Sequence, residues 1–555
     1  MFKMRGIFSR IFAVFILVFF VVTLVQAQNV RTVVTPTVQA QEVKTACEES
    51  GFTRNTNYEQ MIDYLQKVQA TSTEMLLGVF GKSIEGREQP YAVFSRPTVT
   101  YPWQAAASGK PVVVLAANVH GNERTLRESN MILIRELATP GTEANKLLDN
   151  LVIVMVPSIN VDGFVRSSRG NDQDVDMNRD YMKLEQPELA NYIRNIILTW
   201  NPHLFVDGHN GGSWPYNICY MGPSNIASDP QLTLLCDKEI FPYINTRMQA
   251  NGFKSWYYSE VDRRDSTKWR TGEFDPRVGR NYGGFINSIA ILFESPGQTM
   301  EDGVKSGLVA YKATLEYAAR NPEKVKQVVE KARRETIEWG QKAIGDIPVQ
   351  MKYEPEDYKV TYEIASGRGA DRKAMTITNA ELIKKPVITK TRPRPYAYIL
   401  EMRAYKAVEM LRRHNIIVEV LQKDTELPVE AYIITELRRA SEYDHPATAR
   451  LTVADTTTKR TMTFPKGTYI IRTGQVMGRV VTHLLEPETD DNVVRWNTID
   501  AILPNLGGQR PAPEEEPAVA PPVAVPQQPQ RRGPAPILPI FKLMKPTPLP
   551  TRILQ

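Results

Sequence analysis

The sequence is poor in cysteine and histidine, and both shortages restrict its chemistry. It has three cysteines in 555 residues and no Cys-x-x-Cys pair, which disfavours a thiolate zinc site. A chain of this length does not need disulfides to fold, although Cys219 and Cys236 are near enough in sequence to bridge in an oxidising compartment. Metal-binding imidazoles must come from only six histidines: His120, His203, His209, His414, His445 and His483.

The sequence also lacks a strong charge of either sign. Its formal net charge of +6 is small for this length, and no long basic run contains interspersed aromatic residues. We therefore expect no nucleic acid partner. The hydrophobic fraction of 42% is typical of a globular protein, and the length predicts two or three domains.

One long apolar run lies near the N-terminus. Three basic residues precede the apolar run at residues 11–25, and Val25-Gln26-Ala27 offers small residues at the positions that a signal peptidase reads. This pattern predicts a signal peptide at residues 1–27, with an uncleaved membrane anchor as the alternative. In both cases we expect a secreted or periplasmic protein, with membrane contact only if the segment stays uncleaved. Residues 28–54 are predicted to be a flexible segment.

Apolar runs alternate with helical patterns between residues 55 and 345. The runs at residues 112–117, 151–156, 204–206 and 289–293 have apolar side chains on both faces. Such strands are typical of a sheet buried between helices. We therefore predict an α/β catalytic domain at residues 55–345, with a mixed, mainly parallel sheet.

The pattern changes near residue 345. Short β-like runs dominate residues 346–504, which we predict to be a smaller β-rich domain. Beyond it, 14 of the 39 prolines fall between residues 504 and 555. This composition predicts a disordered, Pro-rich tail at residues 505–555.

Two strand ends carry candidate metal ligands. His120 and Glu123 follow the strand at residues 112–117, and His209 lies among glycines after residues 204–206. Ligands bind outside the carboxyl ends of strands in open α/β sheets, and zinc accepts imidazole and carboxylate ligands. A His-x-x-Glu pair alone arises easily by chance, so polar loop residues are the alternative.

A third strand end carries a carboxylate. Glu294 closes the run at residues 289–293, where a buried carboxylate is costly unless it has a partner or a chemical role. Beside a metal-activated water, Glu294 could act as a general base.

The loop at residues 158–181 is rich in arginine and amide side chains. Asn178 and Arg179 could hold the terminal carboxylate of a peptide, since contacts of this kind contribute about 1.5–3 kcal/mol each. Arg169 could stabilise a developing oxyanion. A surface loop held by local salt bridges is the alternative.

Together these motifs resemble the zinc metallocarboxypeptidase family (carboxypeptidase A-like) over roughly residues 55–325. The matching elements, in order, are His120-Gly-Asn-Glu123, Asn160-x-Asp-Gly163, Arg169 nine residues before Asn178-Arg179, Asp207-Gly-His209 and Ile291-Leu-Phe-Glu294. The β-rich region is similar to an extension of some bacterial secreted members that brings no clear activity.

The resemblance implies one zinc ion in an α/β domain that acts on peptide or protein C-termini. The implied metal ligands are His120, Glu123 and His209. The implied catalytic residues are Glu294, as general base and acid, and Arg169, as oxyanion and carbonyl contact. Asn178 and Arg179 are the implied carboxylate clamp.

The sequence departs from the family pattern upstream of Glu294. The family has a mobile tyrosine farther upstream, whereas the nearest tyrosine here, Tyr282, lies only twelve residues before the glutamate. Tyr257 and Tyr258 are too distant in sequence, so we assign Tyr282 to substrate binding. Arg277 and Arg280 indicate either an acidic contact or a structural role.

Three functional hypotheses follow. The first is a zinc exopeptidase that releases C-terminal residues, and the second is a zinc amidase or peptidase acting on cell-wall peptides. The third is a catalytically silent homologue that only holds a carboxylate ligand. The complete ligand set and Glu294 favour catalysis, and Arg179 favours the exopeptidase.

Overall fold

A computed structural model describes residues 42–367, 371–504 and 535–554. The predicted signal peptide lies outside these residues, as do most of the predicted flexible segment and much of the predicted tail. Across the described ranges, no helix combines the length and apolar character needed to cross a membrane.

The strands of the described ranges form three sheets. In chain order they are β1 (Met75–Lys82), β2 (Glu88–Phe94), β3 (Val112–Ala117), β4 (Val152–Val156), β5 (Leu204–His209), β6 (Ile218–Met221), β7 (Ser255–Tyr257), β8 (Ser259–Val261), β9 (Lys268–Thr271), β10 (Ile289–Glu294), β11 (Asp346–Ser366), β12 (Lys373–Pro393), β13 (Ala397–Leu400), β14 (Glu419–Leu421), β15 (Thr425–Glu442), β16 (His445–Phe464), β17 (Tyr469–Arg472), β18 (Ile537–Leu543) and β19 (Thr551–Ile553).

Helices connect most of these strands. They are α1 (Ala46–Glu49), α2 (Tyr58–Ala70), α3 (Pro102–Ala107), α4 (Thr125–Ala138), α5 (Glu143–Lys146), α6 (Val161–Arg166), α7 (Pro187–Asn191), α8 (Leu198–Trp200), α9 (Pro230–Leu235), α10 (Phe241–Ala250), α11 (Gly279–Phe285), α12 (Met300–Arg320), α13 (Pro322–Lys342), α14 (Tyr405–Arg413) and α15 (Gly478–Leu485). A π-helical turn at Tyr192–Ile197 links α7 to α8, and another at Cys236–Ile240 links α9 to α10.

The large sheet has the order β1-β2-β4-β3-β5-β10-β6-β7. Its four central strands, β4, β3, β5 and β10, run parallel, and every residue in them is buried. Successive side chains of β3 enter two different hydrophobic clusters, one on each face. The predicted α/β fold with a mixed, mainly parallel sheet is confirmed.

The parallel register brings three strand ends to one edge of the large sheet. Ala117 of β3 pairs with Gly208 of β5, and Glu294 of β10 pairs with His209. Because the strands run in the same direction, the turn after β3 lies at this edge too.

The chain after residue 345 is rich in β-structure, as predicted. Seven antiparallel strands form the sheet β16-β15-β18-β13-β17-β14-β19. The long β11–β12 hairpin instead pairs with β9, in a third sheet of order β11-β12-β9-β8. This hairpin therefore supports the segment between β8 and β9, which precedes β10 in the chain.

The prediction of a disordered tail is wrong for its last part. Strand β18 lies between β15 and β13, and its residues Leu538, Ile540 and Leu543 are buried. The high proline content of the tail hides a short apolar run that can pair as a strand.

The predicted flexible segment is also ordered at its end. Helix α1 begins with a capping box between Thr45 and Glu48, and Glu48 lies 2.6 Å from Arg135 of α4. Cys47 of α1 is buried. All three cysteines are free, so Cys219 and Cys236 are not bridged.

Strand β18 also carries a buried ion pair. Lys542 is 1% exposed, and its Nζ lies 2.9 Å from Oε1 of the buried Glu486. We expect Lys542→Ala to lower the free energy of unfolding by about 3–5 kcal/mol, because Glu486 would keep a buried charge without its cation. Denaturant unfolding tests this, with the exposed Lys545→Ala as the matched control. Equal midpoints for the two variants would contradict it.

Candidate active site

The turn after β3 is organised by Asn118. Its backbone has a left-handed φ of 63°, and its side-chain amide donates to the carbonyl oxygens of His120, Gly121 and Glu123. Gly121 serves a close approach, since a Cβ there would lie 2.0 Å from the backbone of Gly163. The turn is therefore fixed by the side-chain amide of Asn118 and by its close packing against α6.

The structure brings the three predicted metal ligands together. Nδ1 of His120 lies 2.8 Å from Oε1 of Glu123, and Nδ1 of His209 lies 3.0 Å from Oε2 of Glu123. The two Nδ1 atoms are 3.1 Å apart. One donor atom from each residue lies within 4.8 Å of the others, which makes His120, Glu123 and His209 a candidate metal site.

A second carboxylate lies behind each imidazole. Asp176 Oδ1 is 2.9 Å from Nε2 of His120, and Asp207 Oδ2 is 3.1 Å from Nε2 of His209. When a carboxylate accepts the Nε2 proton, the Nδ1 lone pair is free to bind a metal. Two imidazoles oriented in this way, together with one carboxylate, fit the donor set of a zinc ion.

The charge of the site also favours a cation. Burial alone would lower the pKa of His209, but the carboxylates of Asp207 and Glu123 raise that pKa well above its usual value. Burial alone would raise the pKa of Glu123, but His209 and His120 hold it far below its usual range. The same carboxylates would stabilise a divalent cation bound between the imidazoles.

Asp176 connects the metal ligands to the arginine-rich loop. Its Oδ2 accepts from Nη2 of Arg169 at 2.9 Å, and its Oδ1 accepts from the backbone N–H of Asn178 at 2.9 Å. Arg169 Nη1 lies 3.2 Å from Nδ1 of His120. Burial alone would raise the pKa of Asp176, but its hydrogen bond with His120 and the nearby arginines lower it well below the usual range.

The predicted clamp residues lie beside Arg169. Asn178 accepts from the N–H of Gly279 at the start of α11, which fixes its side chain. Arg179 donates to the carbonyl oxygen of Asn178, and its Nη2 lies 3.5 Å from Glu273. The Arg179 side chain remains partly exposed, so it is available to a further anion.

Glu294 is 8% exposed at the end of β10. Burial raises its pKa to about 7, with a further contribution from the charge of Glu123. A Cβ at Gly211 would lie 2.6 Å from Oε2 of Glu294, so only glycine leaves room for the carboxylate there.

Six of the predicted site residues line one cavity of about 720 Å³, and His209 and Tyr282 do not. The shared lining residues are His120, Glu123, Arg169, Asn178, Arg179 and Glu294. His209 lies directly behind, in contact with Glu123.

The position of Tyr282 contradicts its assignment to substrate binding. Its side chain is fully buried on α11, and its hydroxyl lies 3.0 Å from Nδ1 of His414 in the β-rich region. Tyr258 lines the cavity instead, and burial together with the charge of Glu294 raises its pKa to about 12. The distance in sequence was misleading because β8, β9 and the loop between them lie between Tyr258 and Glu294.

Arg277 and Arg280 have different surroundings in the structure. Arg277 is structural, because its guanidinium lies 3.1 Å from Asp491 and 3.5 Å from Glu442. Arg280 lines the cavity, and its Nη2 donates to the carbonyl oxygen of Glu273.

The supporting residues were missed in the sequence. Asp207 stands two residues before His209 on one strand, a spacing that places both side chains on one face, so this partner was predictable. Asp176 and Asn118 had no comparable signal, since their roles depend on the path of a loop and a turn.

The positions of the two tyrosines give a test. Tyr258→Phe should lower kcat/KM for peptides about 10- to 100-fold, if its hydroxyl bonds a charged group in the cavity. Tyr282→Phe should keep kcat/KM within about twofold and reduce stability by about 1 kcal/mol, the value of one hydrogen bond. Steady-state kinetics and thermal unfolding of both variants measure this, and the reverse pattern would restore Tyr282 to the site.

The family model of zinc carboxypeptidases matches residues 61–216. Relatives include carboxypeptidase 2 of Trichophyton rubrum, 25% identical over 488 residues, which span 83% of this chain and 86% of the relative. Carboxypeptidase 2 of Trichophyton equinum is 26% identical over 437 residues, 75% of this chain and 79% of the relative.

Similarity also extends to a solved metallo-carboxypeptidase from Burkholderia cenocepacia. That chain is 20% identical, with a TM-score of 0.38 over 47% of this chain and 69% of its own. The matched residues 61–216 carry the two histidines, Glu123 and the arginine-rich loop, and the fungal relatives extend over most of the chain. The chain is therefore similar to zinc carboxypeptidases, and the family model itself matches it over residues 61–216.

Proposed function

We propose that this protein is a zinc-dependent exopeptidase that removes C-terminal residues from peptides. The observation that carries the proposal is one cavity lined by His120 and Glu123 of the His-Glu-His donor set, by a buried glutamate and by a partly exposed arginine, with His209 directly behind. Each group alone has a structural explanation. Their convergence at one sheet edge fits hydrolysis next to a terminal carboxylate.

His120, Glu123 and His209 would hold the zinc ion. When bound, the ion would polarise the scissile carbonyl and lower the pKa of the attacking water. The carboxylates of Asp176 and Asp207 keep Nδ1 of each imidazole directed toward the site.

Glu294 would accept a proton from the attacking water at its carboxylate and then deliver it to the leaving amine. A pKa of about 7 suits both steps, because the group can take up and release a proton near neutral pH. Arg169 would stabilise the negative charge that develops on the carbonyl oxygen, since its side chain is about half exposed toward the cavity.

Asn178 and Arg179 would hold the substrate's terminal carboxylate. A guanidinium fork binds a carboxylate through two parallel hydrogen bonds, which fixes the orientation of the last residue. This clamp distinguishes an exopeptidase from an enzyme that cuts within a chain. Export from the cytoplasm, as the apolar run at residues 11–25 predicts, would make extracellular peptides the substrates.

A peptide library tests the proposal directly. The purified protein is incubated with peptides that have free or amidated C-termini, with and without a zinc chelator, and products are identified by mass spectrometry. Chelator-sensitive loss of single residues from free C-termini alone supports the exopeptidase. Internal cuts, or release from cell-wall peptides only, would support the amidase alternative. Bound zinc without any product would support the silent homologue.

Glu294→Gln separates metal binding from proton transfer. The variant should retain one zinc ion per chain while kcat falls by about 100- to 10,000-fold, the usual contribution of a general base. Metal analysis and steady-state kinetics measure the two effects. Glu301→Gln, on the exposed first turn of α12, is the control and should retain wild-type activity. Near-normal turnover of Glu294→Gln would overturn the assignment of the base.

A further inference from the structure

The β-rich region reaches the active site through one hairpin. Strands β15 and β16 pair up to Glu442 and His445, which leaves Tyr443 and Asp444 as a two-residue turn. We call these two residues the hairpin tip. Both are exposed, Tyr443 with 61% of its surface accessible, and the backbone of Asp444 has a left-handed φ of 52°.

The hairpin tip is held in place by contacts of the residues on both sides of it. Glu442 Oε2 lies 2.5 Å from Nη2 of Arg495 and 2.7 Å from Nη2 of Arg450. Its other oxygen lies 3.5 Å from Arg277, which belongs to the catalytic region. The His445 ring packs edge-on against Trp496, with centroids 5.0 Å apart. The tip therefore has a fixed position relative to the large sheet.

Asp444 contacts the catalytic region through one side-chain oxygen. Its Oδ2 accepts from the backbone N–H of Asp176 at 2.8 Å. Asp176 in turn places its Oδ1 at 2.9 Å from Nε2 of His120 and its Oδ2 at 2.9 Å from Arg169. Asp444 of the β-rich region thus fixes the backbone of Asp176, whose carboxylate orients the predicted metal ligand His120.

Tyr443 lies on the same side of the active site. It lines a cavity of about 460 Å³ together with Arg169, Asp176 and Arg179. Arg169 is the predicted oxyanion contact, Asp176 supports the predicted ligand His120, and Arg179 belongs to the predicted carboxylate clamp. The hairpin tip therefore borders the catalytic cavity on the side of these groups.

We propose that Asp444 is a positioning residue of the active site, supplied by the β-rich region. It holds Asp176 in the position from which the Asp176 carboxylate orients His120 and Arg169. The proposal rests on the proposed zinc site, and it assigns the β-rich region a part in assembling that site. A purely structural hairpin would contribute to stability without affecting metal affinity.

Two substitutions at one position test this in the full chain. Asp444→Ala removes the acceptor and should weaken zinc binding about three- to tenfold, less than the 10- to 100-fold typical of a residue bonded directly to a ligand. Asp444→Asn keeps an oxygen that can accept the same N–H and should restore wild-type affinity. Zinc dissociation constants come from competition with a chromophoric chelator, which needs no enzymatic activity.

Asp455→Ala is the control on the same hairpin. Asp455 is exposed on β16 and pairs with Lys390, away from the active site, so its loss should leave zinc affinity unchanged. Thermal unfolding of all three variants shows whether stability changes in parallel. Equal zinc affinity for Asp444→Ala and wild type overturns the proposal, as does equal weakening by Asp455→Ala. Absence of zinc binding in the wild-type protein would instead reject the proposed zinc site.

Discussion

The structure depends on the balance of buried charge at one edge of the large sheet. Glu123, Asp176, Asp207 and Glu294 lie close together there with little exposure, and the imidazoles of two histidines and the partly exposed guanidinium of Arg169 compensate part of their charge. Buried carboxylates cost free energy unless cations or hydrogen bonds compensate them. Glu123 and the two aspartates each face an imidazole nitrogen, which leaves both Nδ1 atoms and Glu123 directed at one point.

The fold provides this arrangement through parallel pairing. Strands β3, β5 and β10 are buried on both faces and end at the same edge, so polar residues that follow them must meet. The region after residue 345 adds a second constraint. Its β11–β12 hairpin pairs with β9 beside the cavity, and its β15–β16 hairpin bonds to Asp176. The catalytic region and the β-rich region therefore share both a core and a site.

The sequence was sufficient to predict what depends on local pattern. Apolar runs identified the central strands, and the polar residues after them identified His120, Glu123, His209 and Glu294, which the structure brings together. Tyr258 was rejected as too distant because a β-hairpin intervenes before Glu294, and no period in the sequence shows where that hairpin folds back. Strand β18 was missed because its apolar residues lie within a proline-rich stretch. Asp444 lies 268 residues after its partner Asp176, a contact that no local signal reports.

The most direct measurement is a crystal structure of the zinc-loaded protein, with anomalous scattering recorded at the zinc edge. The account predicts one strong peak per chain, bound by Nδ1 of His120, Nδ1 of His209 and the carboxylate of Glu123. Asp176 and Asp207 should remain on the two Nε2 atoms. A site bound through either Nε2, or a zinc ion held elsewhere in the chain, would contradict the account.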